Sequence, residues 1–267
     1  MRIGKITSPL IMGVVNVTPD SFSDGGSFFS VESAIEHGLE LIEEGADIID
    51  VGGESSRPGA LPVPLEEELS RVIPVVEALA RSVPVSIDTV KPEVMADAVS
   101  AGAALINDIN ALSGIDVSFL ADTNVSICLM HKQGDPMTMQ LAPSYNDVLE
   151  EVYGFLEKRV DALTEAGISR ERLLIDPGFG FGKTLEQNLT LLRHLDRFLT
   201  LGLPILAGLS RKSMLGTITG RGVEERVHAS VAASLIAVQK GASIVRVHDV
   251  GAMRDALKIL NAVEGSV

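Results

Sequence analysis

Apolar runs recur along the chain at even spacing, most of them closing on a polar residue or a glycine. They are LIMGVVN ending at Asn16, ADIIDVGG at Gly53, VPVSIDT at Thr89 and ALINDI at Ile109, then VSICLMH at His131, RLLIDPG at Gly178, PILAGLS at Ser210 and SIVRVHD at Asp249. Hydrophobicity within each run is continuous rather than alternating, which predicts strands covered on both faces, as in a parallel sheet. Helical patterns lie between them: VESAIEHGLELIEEG, LEEELSRVIPVVEALA, KPEVMADAVSAG, YNDVLEEVYGFLEKRVDALTEAG, LEQNLTLLRHLDRF and EERVHASVAASLIAVQKG. Several close on Gly, a helix-stop signal, and the segment from Ser113 to Asp122 leaves room for a further short helix. Polar strand ends from Asn16 to His248 are spaced by about 33 residues, the length of a β/α unit. Eight such units predict a single (β/α)8 TIM barrel.

The rival architecture is a doubly wound open sheet. It would carry a nucleotide loop after its first strand, and the chain has NVTPDSFSDGG there. No Pro/Gly/Ser linker or shift in composition divides the 267 residues, so one domain over residues 1–267 is expected. Hydrophobic residues make up 46% and aromatics 4%, with no Trp, which suits an aliphatic α/β interior better than a base-stacking surface. A net charge of -14 repels polyanions and disfavours nucleic acid or anionic membranes as partners. Cys128 is the single cysteine, so no intrachain disulfide forms. No apolar stretch approaches the ~20 residues that span a bilayer, and a soluble, cytoplasmic protein is the expectation.

TIM-barrel chemistry is built at the carboxyl ends of the strands. Those ends supply Asn16, Asp50, Glu54, Asp88, Asn107, Asp108, His131, Asp176, Ser210, Arg211, Lys212, Arg246 and His248. Any one Asp after a strand also serves as a cap or turn residue, and Arg211 also fits a surface ion pair. Asp88, Asn107 and Asp176, beside the apolar Ile109, Met130 and Phe181, suit a flat heterocycle rich in N–H donors, because carboxylates accept such donors in pairs. Arg211, Lys212, Arg246 and His248 gather positive charge in the loops after strands seven and eight, the usual phosphate site of this fold. Arg246 and His248 share one strand face by period 2, and a lone inward Arg calls for an anionic partner. No zinc-type spacing and no G-x-S-x-G elbow occurs.

The stretch LLIDPGFGFGKT imitates a phosphate loop without being one. A nucleotide P-loop would need glycine at position 177, which is Pro177, and Gly178, Gly180 and Gly182 do not give G-x-G-x-x-G. Two early loops, NVTPDSFSDGG and GGESSRPGALPVP, mix Gly and Pro with Thr18, Asp20, Phe22, Ser56 and Arg57, and read as ligand-contacting lids.

These segments, with SIDTVKPEV, LINDI, LMHKQGDPMTMQ, GLSRKSMLG and VRVHDV, resemble the motifs of the dihydropteroate synthase family in order and over nearly the whole chain. The resemblance implies a (β/α)8 barrel that joins 6-hydroxymethyl-7,8-dihydropterin diphosphate to p-aminobenzoate, with Mg²⁺ as cofactor, sulfonamides as competitors, and a homodimer. It implies that Asp88, Asn107, Asp176 and Lys212 hold the pterin, with Asp176 on its amidine edge and the loop glycines passing close to the ring. Asn16 would be the metal contact, and Arg57, Arg246 and His248 the diphosphate site. Thr18, Pro19, Asp20, Phe22, Ser56 and Pro58 would line the p-aminobenzoate pocket, and Ser213, opening a helix, would meet its carboxylate. Asp88, Asp176, Lys212, Arg246 and His248 would carry catalysis. The resemblance departs at Ser56, where the family usually has Thr, and at Lys132, where Met is common.

Three other readings remain open on the residues. Lys212 beside Arg211 could form a Schiff base, as in barrel aldolases. A pterin pocket could serve methyl transfer from a folate to a corrinoid protein, or bind pterin without turnover.

Overall fold

A computed structural model of the chain describes residues 6–17, 31–55, 61–135 and 138–265. The apolar runs form the strands of one parallel sheet: β1 (Leu10–Asn16), β2 (Ile48–Gly52), β3 (Val85–Asp88), β4 (Leu105–Asp108), β5 (Ser126–Met130), β6 (Leu173–Asp176), β7 (Leu206–Ala207) and β8 (Ile244–Val247). Neighbouring strands follow the order β6-β5-β4-β3-β2-β1-β8-β7. A parallel bridge from Ile175 of β6 to Ile205, just ahead of β7, brings the two edges of the sheet together. The architecture is the expected (β/α)8 barrel. Strands are shorter than their apolar runs because Thr89, Ile109 and His131 lie just past the ladder and open the loops.

The outer layer comprises α1 (Val31–Glu43), α2 (Leu65–Leu79), α3 (Pro92–Ser100), α4 (Val148–Glu165), α5 (Leu185–Arg193), α6 (Ser213–Thr219), α7 (Val227–Gln239) and α8 (Val250–Glu264). Helix α4 starts later than its pattern because Asp147 caps it, accepting from the backbone N–H groups of Leu149 (3.0 Å) and Glu150 (3.1 Å). The pattern after Thr184 ends as α-helix at Arg193 and continues as 3₁₀ turns over Leu195–Leu201. The connector from Ser113 holds only a 3₁₀ turn at Ser118–Leu120. Helix α8 adds to the patterns read from sequence, and its buried Val250, Met253 and Leu257 recur at helical spacing.

Two apolar layers result. A large one fills the space between strands and helices. A small one, Met12, Ile48, Leu105, Cys128, Leu174, Leu206 and Ile244, gathers one residue from each of seven strands inside the barrel. Side chains two positions on face the same way. Above that apolar floor, the next inward layer therefore takes Asp50 from Ile48, Asn107 from Leu105, Met130 from Cys128, Asp176 from Leu174 and Arg246 from Ile244. The pattern of the strands alone lifts a set of polar groups onto a hydrophobic floor at the carboxyl end of the barrel.

Candidate active site

The polar layer closes on itself through Arg246. Its Nε donates to Asp50 Oδ2 at 2.6 Å and its Nη2 to Asp88 Oδ2 at 3.0 Å, so the β8 cation spans to β2 and β3. Asn107 Nδ2 donates to the same Asp50 oxygen at 3.3 Å. Asp50 and Asn107 are buried, and each keeps one oxygen, Oδ1, that meets no hydrogen-bond partner among the described residues. Buried acceptors are costly without donors, so this pair adds to the cost of the acidic cluster.

Asp88 shows how strained the acidic cluster is. Burial pushes its carboxyl up to about 7, Asp50's charge adds to the rise, and Arg246 opposes it. The folded value lies above the ordinary 3.8, so the group stabilises the fold below about pH 4 and that contribution is lost as pH rises through 7. Asp88→Asn removes the dependence. In thermal melts of substrate-free protein, the variant's Tm relative to wild type is expected to climb between pH 4 and pH 8. A difference that stays flat would mean that burial does not govern this carboxylate.

Asp176 ends β6, beside Met130 of β5 in register. Its Oδ1 accepts the Gly178 N–H at 2.7 Å, which starts the glycine loop. Burial pushes its carboxyl up to about 6, while the Gly178 N–H and the charges of Lys212, Lys183 and Arg246 pull it back. Next to it, Ile109, Met130 and Phe181 form the expected apolar patch, joined by Met139, which the sequence did not single out. Lys212 crosses from the loop after β7 and sets its amine 4.2 Å from the Phe181 ring centre, a cation–π distance. The site is therefore a slot with acceptors on one wall and an apolar and cationic pair on the other.

Glycine in this loop serves a different purpose from the one expected. Gly178 (φ +72°) and Gly182 (φ +64°) lie in left-handed backbone, and a Cβ on either would overlap a carbonyl oxygen of the segment after β5, of His131 or Gln133 respectively. Only Gly180 packs on a site residue, the Lys212 side chain. The glycines thus let two loops touch. The Gly-Lys-Thr that imitates a P-loop also resolves into other roles. Thr184 is the N-cap of α5 in a capping box with Gln187, and the Lys183 amine turns inward onto loop carbonyls.

Several strand-end residues serve the scaffold. Asp108 accepts the N–H groups of Asn110 and Leu112, both at 2.7 Å, and so holds the turn in which Ala111 and Leu112 take left-handed φ angles of 51° and 53°. Arg211, read from sequence as part of the positive cluster, pairs with Asp249 at 2.8 Å and Glu224 at 2.7 Å instead. Glu54 pairs with Lys91 at 2.6 Å and accepts the Val63 N–H at 2.9 Å, which links residues on either side of the second loop. Lys91 also pairs with the fully buried Glu68, which in turn takes the Thr89 hydroxyl at 2.6 Å.

His248 rests its Nδ1 3.0 Å from the Ser210 hydroxyl. Asn16 is exposed at the end of β1, and Ser213 is exposed as the first residue of the seven-residue α6. Thr18, Pro19, Asp20, Phe22, Ser56, Arg57 and Pro58 lie outside the described residues. Sequence reasoning placed one central member among the strand ends without giving it a role, and passed over another. Asp50 is the partner of both Arg246 and Asn107, and its signal was an Asp inside an otherwise apolar strand. Lys183 was the other, hidden by the false P-loop.

A parallel barrel with a donor-seeking slot at its carboxyl end defines an enzyme that binds a flat, nitrogen-rich ring, and the chain matches the pterin binding enzyme family over residues 12–248. The dihydropteroate synthase of Escherichia coli K12 is 49% identical over 260 residues, covering 96% of this chain and 92% of that protein. A Xanthomonas albilineans dihydropteroate synthase in complex with 7,8-dihydropteroate superposes with a TM-score of 0.89 at 52% identity, covering 98% and 96% of the two chains. The Yersinia pestis enzyme in a sulfonamide drug complex superposes at 0.92 with 45% identity, covering 97% and 96%. The chain belongs to the dihydropteroate synthase family.

Proposed function

We propose that this protein condenses 6-hydroxymethyl-7,8-dihydropterin diphosphate with p-aminobenzoate, giving 7,8-dihydropteroate and diphosphate. The observation that carries the reading at the level of residues is the gathering of acceptors at the carboxyl end of the barrel, Asp88, Asn107 and Asp176, beside the apolar patch of Ile109, Met130 and Phe181. A pterin presents N–H groups along one edge, and that wall offers carboxylate and amide oxygens to them. Asp176 takes the amidine edge, Lys212 and Phe181 cover the ring, and Ile109 and Met130 pack its apolar part.

The C–O bond to diphosphate breaks first, the electron pair leaving with the phosphate oxygen and the pterin ring delocalising the exocyclic cation. The amine lone pair then forms the C–N bond and the nitrogen loses a proton. The Arg246 charge and the N–H donors of Arg246 and His248 lower the energy of the departing anion, and Arg57 belongs to the same site. Thr18, Pro19, Asp20, Phe22, Ser56 and Pro58 take the p-aminobenzoate ring, Ser213 its carboxylate, and sulfonamides compete there.

Among the described residues no cluster of three His, Cys, Asp or Glu side chains exists to cage a metal. The exposed Asn16, at the end of β1, would offer its amide oxygen to Mg²⁺, an ion that keeps most of its waters. When bound it neutralises charge on the leaving diphosphate. None of the described helices is long and apolar enough to cross a membrane. A homodimer through α7 and α8 would cover the exposed Ile236, Ile259 and Val263.

The test is incubation with the pterin diphosphate, p-aminobenzoate and Mg²⁺, following dihydropteroate by mass spectrometry together with diphosphate. Equal amounts of both are expected, falling sharply when EDTA replaces the metal. Neither product, with no pterin binding by calorimetry, would sink the reading.

A further inference from the structure

Among the described residues the most deeply buried cation outside the slot is Lys183, with a neighbour that the reaction leaves unused. Lys183 is 3% exposed and His131 6%. The Lys183 amine donates to the carbonyls of Gly178 at 2.8 Å and Phe181 at 3.1 Å, and lies 3.0 Å from His131 Nδ1. A fourth, longer contact reaches the His131 carbonyl at 3.4 Å. An ammonium has three N–H donors, and the two loop carbonyls with Nδ1 use all of them when the imidazole is neutral and carries its proton on Nε2. The imidazole is held in that form, because burial and then the Lys183 charge push it down to about 3. Phe155, edge-on at 5.0 Å, and Tyr145, at 6.0 Å, pack the ring, and the Tyr145 hydroxyl donates to the Gly182 carbonyl at 2.9 Å.

The amine is thus the centre around which the loop from Gly178 to Gly182 winds. The outer surface of that loop carries the two groups that face the slot. Gly178 gives its N–H to Asp176 and its carbonyl to Lys183. Phe181 gives its carbonyl to Lys183 and its ring to Lys212.

We propose that Lys183 is a positioning residue for the pterin site. Clamped by His131, it fixes the loop that presents Asp176 and Phe181, and it places a positive charge behind Asp176 that keeps the carboxylate ionised. The proposal rests on the reading of Asp176 as the pterin's amidine partner. It also explains why a Gly-Lys-Thr sits where no phosphate loop exists. The charged or titratable groups facing Asp176 are Lys212 from the loop after β7, Arg246 on β8, Lys183 from its own loop and the Cys128 thiol on β5. Burial pushes the Lys183 amine down to about 7 while Asp176 pulls it up, so it is largely charged near pH 6, where Asp176 titrates, and loses that charge as pH rises through 7.

The test compares Lys183→Met with wild type. The expected result is at least a tenfold rise in KM for the pterin diphosphate with KM for p-aminobenzoate within twofold. In addition, the acid limb of the pterin kcat/KM profile should move up by at least half a pH unit, because Asp176 has lost a cation. An unmoved acid limb, or equal changes in both KM values, would overturn the proposal, since a loop that merely loosened would give those. Should Lys183→Met fail to melt cooperatively, His131 decides the matter. His131→Asn keeps an acceptor near the place of Nδ1 and should restore most of the pterin affinity that His131→Leu loses, and equal losses in the two would count against the clamp. Asp176→Asn run in parallel separates the two levels. If it leaves pterin KM unchanged the pterin reading itself fails, whereas a large effect there with none at Lys183 defeats only the clamp.

Discussion

Replacing Asp176 by Asn is expected to lower kcat/KM for the pterin diphosphate by about a hundred- to ten-thousandfold. Asp176 stands in the polar layer above the barrel floor, one of its oxygens spent on the Gly178 N–H. Against a pterin edge made of N–H donors, Asn removes the charge and turns one acceptor into a donor. A hydrogen bond to a charged group is worth about 1.5–3 kcal/mol, and a donor facing a donor adds the cost of a buried unsatisfied group, about 1–3 kcal/mol. At about 1.4 kcal/mol per decade these give about two to four decades. Stability should hold, because Asn still accepts from Gly178 and the desolvation that pushed the carboxyl up to about 6 is removed. Initial rates at saturating p-aminobenzoate, read beside a thermal melt, check both halves. A variant with unchanged pterin kinetics would move the ring elsewhere in the barrel.

Arg246→Met should cost stability as well as rate. Arg246 holds two carboxylates of other strands, Asp50, which is wholly buried, and Asp88. Removing one side of a buried ion pair leaves uncompensated charge and costs about 3–5 kcal/mol. For a chain of this size that lowers Tm by roughly 10 °C, at about 2–4 °C per kcal/mol. The direction with pH is fixed as well. Arg246 lowers the Asp88 carboxyl against burial, so without it the group rises further and is neutral at pH 6 but less so at pH 8. The loss should be larger at pH 8. Adding Asp50→Asn to Arg246→Met should recover part of it, because partners in one network are not additive. A loss equal at both pH values and unrelieved by the second change would mean that the Arg246 stem, rather than its charge, supports the barrel.

The barrel itself was legible in the sequence because its cause is local. Continuous apolar runs at β/α spacing can be buried only as strands covered on both faces, and a right-handed succession of such units closes into a barrel. Asp88, Asn107, Asp176, Arg246, Ile109, Met130 and Phe181 were readable for the same reason, since a side chain at the carboxyl end of such a strand has one mouth to face.

Only the tertiary structure decided which polar groups belong to the slot and which hold the scaffold. Asp108 and Asp176 look alike in sequence, each closing a strand, yet one turns back to cap Asn110 and Leu112 and the other stays in the inward layer. Arg211 and Lys212 are adjacent, and only Lys212 reaches Phe181, while Arg211 leaves for Asp249 and Glu224. Asp50 and Lys183 needed partners that lie 196 and 52 residues away along the chain. Strand periodicity fixes the direction of a side chain through its own backbone. Its partner is fixed by the packing of distant segments, and that pairing is decided when the barrel closes.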